Sequence, residues 1–111
     1  MAGDYGEINS RADFHRVLGE ATGIARRLLE GSPGYEVMLR IVTELEAMKQ
    51  WTEGGRQPTD DERHRIDVGL VAVRELDGAG GEWQELAQKL FALDSYFEDW
   101  PTDEQAAGSS G

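Results

Sequence analysis

Four stretches of this chain set apolar side chains three and four residues apart, and each stretch is bracketed by residues that start or stop helices. That pattern commits the chain to packed helices. In the first stretch Phe14, Val17, Leu18, Ala21, Ile24, Ala25 and Leu28 follow Ser10, a helix cap, with Asp13 placed to reach back as a short capping-box acid; Gly31 ends it. Ser32-Pro33 reads as a cap followed by a proline at the first helical position. The second stripe is then Tyr35, Met38, Leu39, Val42 and Leu45, with Val37, Ile41, Met48 and Trp51 widening it. Residues 53–58, with two glycines and a proline, form a loop, and Thr59-Asp60-Asp61-Glu62 is a full capping box. The third stripe is Ile66, Leu70, Val73 and Leu76, with Val68, Val71 and Ala72 beside it. The fourth is Trp83, Leu86, Ala87, Leu90, Phe91, Leu93 and Phe97, stopped by Pro101.

The expected fold is therefore all-α, a single bundle of about four mostly antiparallel helices over residues 10–30, 33–52, 60–77 and 82–99. No segment alternates apolar and polar residues over the length of a strand. A chain of 111 residues supports one core. The expected organisation is a flexible segment at 1–9, a helical domain at 10–100, and a disordered acidic, Gly/Ser-rich tail at 101–111.

Charge narrows the function. The formal net charge is −11, and it is lopsided: through Arg74 there are 13 acids and 10 bases, whereas from Glu75 onward nine acids face Lys89 alone. Such a surface repels phosphate backbones and anionic lipid, so neither nucleic acid nor membrane is an expected partner. A basic protein surface is. With no cysteine, no signal-peptide pattern and no apolar run near the roughly 20 residues that span a bilayer, the expected location is the cytoplasm.

Chemistry is hard to find in these residues. Asp60, His64 and Asp67 fall on one face of a continuous helix, but they lack the second Glu-x-x-His half of a di-iron bundle and sit among Arg63 and Arg65 like an ordinary solvated face. No nucleophile elbow, Ser-x-x-Lys pair or phosphate-cradling glycine loop is present, and Gly78-Ala79-Gly80-Gly81 lies among acids. The expectation is a non-enzyme with no cofactor and no metal. Trp51, Tyr96 and Trp100, near acidic residues, suit either a protein-binding surface or the covered ends of a bundle.

Two blocks, Ser32-Pro33-Gly34-Tyr35-Glu36-Val37-Met38-Leu39 and Gly69-Leu70-Val71-Ala72-Val73-Arg74-Glu75-Leu76-Asp77, give the chain a likeness over residues 14–97. In this order and spacing they resemble a family of small helical immunity proteins that protect bacteria from toxins delivered by type VI secretion. The best-known toxin paired with that family is an NAD(P)⁺ glycohydrolase. The resemblance implies a protein that binds a cognate effector toxin domain, NAD(P)⁺-degrading or otherwise nucleotide-acting, and caps its active site; it carries over no catalytic residue. Trp51, Glu75, Asp77 and Asp94 are the expected toxin contacts, chosen for charge and position. The alternative is a self-associating adaptor or chaperone-like binder, and a homodimer is compatible with either reading.

Overall fold

Ser10 opens the first helix, α1 (Arg11–Gly31), by accepting a hydrogen bond from the Asp13 N–H at 3.1 Å. Asp13 reaches back as expected, but to the Asn9 N–H at 3.0 Å, one residue before the cap. The computed structural model describes residues 8–76 and 80–100, apart from the side chains of Val73 and Asp99. Within them Ile8, inside the segment expected to be flexible, is only 1% exposed and joins the core. Residues 1–7 and the tail at 101–111 lie outside the described set.

The next helix, α2 (Glu36–Thr52), begins three residues later than the proline signal suggests. Ser32 is occupied in closing α1: its N–H bonds the Leu28 and Leu29 carbonyls, and its own carbonyl accepts from the Tyr35 N–H at 3.0 Å. Ser32, Pro33 and Gly34 therefore form the turn between the helices. The buried stripe of α2 is Met38, Ile41, Leu45, Met48 and Thr52. Leu39, expected on that stripe, is 45% exposed.

The last helix, α5 (Gly81–Asp99), runs against α1. Arg27 pairs with Glu82, Glu20 with Lys89, and Phe14 stacks on Tyr96, so numbers fall along one helix as they rise along the other. The two are antiparallel. α1 also packs along α2, with Arg26 pairing to Glu46. These ion pairs are surface features and each contributes little to stability. The helices are held by apolar burial: Phe14, Val17, Ala21, Ala25, Leu86, Leu90, Leu93 and Phe97 expose 6% or less.

One end of the bundle is aromatic. Phe14 lies 5.5 Å from Tyr96, 6.2 Å from Phe97 and 5.2 Å from Trp100, and Arg11 sits over the Trp100 ring at 4.9 Å. Tyr96 and Trp100 are 2% and 3% exposed, so of the two roles open to them they fill the inward one.

The third stretch departs most from expectation. Instead of one helix over 60–77 it forms α3 (Asp60–His64), a break at Arg65 to Asp67, and α4 (Val68–Val71), which continues into a π-helical turn (Ala72–Leu76). The Thr59–Glu62 capping box starts α3 as expected, its two bonds measuring 3.0 and 3.1 Å. Burial explains the break. Ile66 and Val68 are both inside, yet positions two apart on a continuous helix point to nearly opposite faces. Interrupting the helix turns both inward, and the β-branched, glycine-containing Val68-Gly69-Leu70-Val71 has little helix propensity to resist the break. Leu70, expected on the buried stripe, is 54% exposed instead.

Candidate partner-binding face

α4 has no capping side chain of its own. Its first amides are bound from outside: the Asp67 N–H donates to Glu44 Oε1 of α2 at 2.9 Å, and the Gly69 N–H donates to Asp94 Oδ2 of α5 at 2.7 Å. Two carboxylates from neighbouring helices thus pin one short helix in place. The Asp94 contact requires glycine opposite it, because a Cβ on residue 69 would meet Asp94 Cβ and Oδ2 at 2.9 Å.

Holding carboxylates in this position shifts their titration. Burial pushes Glu44 up from 4.5 to about 7, helped by neighbouring Asp67 and opposed by the bond from the Asp67 N–H and by Arg40, whose guanidinium lies 3.2 Å away. Burial likewise raises Asp94 from 3.8 to about 6, against the Gly69 N–H and with the repulsion of Glu98 and Asp67. Both groups bind protons more tightly in the fold than in the unfolded chain. Their contribution to stability is complete below about pH 4 and is lost as pH rises through 6 and 7. These two groups should therefore make the protein more stable at pH 5 than at pH 8, by about 1–2 kcal/mol once solvent screening is allowed for, with His15, whose pKa burial lowers, working the other way. Urea midpoints at the two pH values test this. The variant combining Glu44→Gln and Asp94→Asn, which keeps both acceptors, should flatten the dependence; an unchanged slope would assign it to other groups.

Around this junction lie two exposed apolar side chains. Leu70 directly follows Gly69, and Phe91, 48% exposed, stands one helical turn before Asp94. The turn neighbours of Phe91 on α5 are Ala87, Gln88, Asp94 and Ser95, so Asp94 is the one ionisable group beside it on that helix. Beyond them Glu75 and Glu98 are exposed, with Arg74 next to Glu75.

Of the four residues expected to contact a partner, Asp94 lies at this junction, and Glu75 is exposed on the π-helical turn that follows α4. Trp51 does not: it stacks on Phe97 with ring centres 6.4 Å apart, and its carbonyl accepts from Arg56 Nη1, so it lines the aromatic end. Asp77 lies outside the described residues. The apolar spacing places Leu70 and Phe91 in the core; the glycine before Leu70 and the polar Gln88, Asp94 and Ser95 around Phe91 are the signals in the sequence against it. Asp60, His64 and Asp67 do not share a face, since the break separates Asp67, which pairs with Arg40 while Asp60 pairs with Arg63. Among the described residues no group of three His, Asp or Glu is placed to hold a metal ion, and no helix is long and apolar enough to cross a membrane.

An all-helical bundle that shows apolar anchors beside carboxylates has the makings of a protein-binding module. The family model Tsi6 matches residues 14–99, from the first turn of α1 to the end of α5, and the chain belongs to that family of type VI secretion immunity proteins. It is accordingly an effector immunity protein, with a cognate effector protein as partner. Comparison with curated proteins and with solved structures returned no match.

Proposed function

We propose that the protein neutralises the toxin domain of its cognate type VI effector in the bacterial cytoplasm by covering the toxin's active site, and that the toxin degrades NAD(P)⁺ or acts on another nucleotide. The family match across the whole bundle carries this reading. Charge supports the finer part. A cleft shaped for a phosphorylated dinucleotide is lined with cations, and a surface carrying −11 in net charge complements it. The protein acts here as a binder without a reactive centre.

Co-expression with the toxin encoded beside it tests the proposal. Cells producing the toxin alone should lose viability together with their NAD(P)⁺ pool, and both should be restored when this protein is present. Restored viability with no effect on nucleotide pools in either strain would retain immunity and reject the nucleotide chemistry. Absence of protection would reject the reading as a whole.

A further inference from the structure

We propose that the outer face of α4 and α5 is the surface that seats the toxin domain, with Leu70 and Phe91 as apolar anchors on either side of the Gly69–Asp94 contact and acidic residues at the rim. The toxin meets it with an apolar recess ringed by lysine and arginine. This assignment rests on the immunity reading above and adds to it the place of contact.

Three observations converge on this face. Leu70 and Phe91 are 54% and 48% exposed, although each sits in a helix whose other large apolar residues are mostly inside. Leu39, the third exposed apolar residue, is on α2, outside the α4–α5 junction. The anchors also have the surroundings of an interface centre: Gln88 and Ser95 beside Phe91 are uncharged, and Asp94 is half buried beneath the Gly69 N–H. Glu98, one turn beyond Asp94 on α5, is exposed, and so is Glu75, which begins the part of the sequence where nine acids accompany a single lysine. Acidic side chains at the rim of an apolar centre favour a basic partner and speed its approach.

The backbone makes the face firm. Gly69 lets α4 lie directly on α5, and the bonds from Glu44 and Asp94 fix its first turn. The anchors are therefore displayed on helices, with little conformational freedom to lose on binding.

The test measures affinity for the purified cognate toxin domain, with protection of toxin-producing cells in parallel. The variant combining Leu70→Glu and Phe91→Glu should bind at least about 100-fold more weakly and fail to protect, while Leu39→Glu binds like the parent. Both altered side chains are half exposed, so the helical circular dichroism and melting temperature should stay near those of the parent. A second variant, Glu75→Lys with Glu98→Lys, leaves the anchors in place and should slow association about tenfold at low salt. Parent-like affinity in the first variant, or parent-like association in the second, overturns the assignment while leaving the immunity function standing. If the parent itself fails to bind the toxin, both fall. Light scattering covers the remaining occupant: a free dimer that the first variant converts to monomer, with toxin binding intact, gives the face to a second copy and overturns the proposal.

Discussion

Replacing Phe14 with alanine is expected to destabilise the protein by about 3–5 kcal/mol, a large share of what holds a domain of this size together. The ring is fully buried and is shared by three partners at the aromatic end: Tyr96, Phe97 and Trp100, all within 6.2 Å between centres. Removing it forfeits the transfer energy of the side chain and leaves a void that the surrounding rings cannot readily fill. They are braced in turn, Trp100 by Arg11 and Phe97 by Trp51. Urea unfolding followed by tryptophan fluorescence should show the midpoint collapse, since two of the three tryptophans belong to this cluster. A loss below about 1 kcal/mol would mean that the aromatic end is loosely packed.

Gly69→Ala should be damaging for a change of a single methyl group, costing about 2–3 kcal/mol. The added Cβ would stand 2.9 Å from Asp94 Cβ and from the carboxylate oxygen that accepts the Gly69 N–H. Either α4 moves off α5 or the hydrogen bond to a charged acceptor is lost. The matching change at Gly23 supplies the comparison. That residue is exposed in the middle of α1 with nothing within 4 Å of a new Cβ, so Gly23→Ala should stabilise the fold by about 0.5–1 kcal/mol through helix propensity alone. If both substitutions have the same sign and size in urea melts, close approach at residue 69 is not what sets that glycine.

What could be seen in the sequence divides along a physical line. Features encoded within one turn were legible: Ser10 capping α1, Thr59 and Glu62 boxing the start of α3, and the stripes that make α1 and α5 amphipathic. Features that depend on which elements meet were not. On α2 the apolar arc is so wide that both Leu39 and Ile41 obey helical spacing, and only packing against α1 decides that Ile41 faces inward. The third stretch holds a regular stripe on paper, but burying Ile66 and Val68 together requires the break, and the groups that hold the break lie about 20 or more residues away at Glu44 and Asp94. Asp94 was singled out for its charge and position near a helix end; its bond to Gly69 could not have been read from either residue. The family likeness was legible in the two blocks quoted above, and the second of them contains Gly69 and Leu70.

A helix that borrows its starting bonds from two other helices has no independent existence. Residues 68–71 have these starting bonds only when α2 and α5 are both in place. Recognition is thereby tied to completeness: a chain still emerging from the ribosome, or one already coming apart, has no finished face to offer, and a cell is guarded only by molecules that have closed.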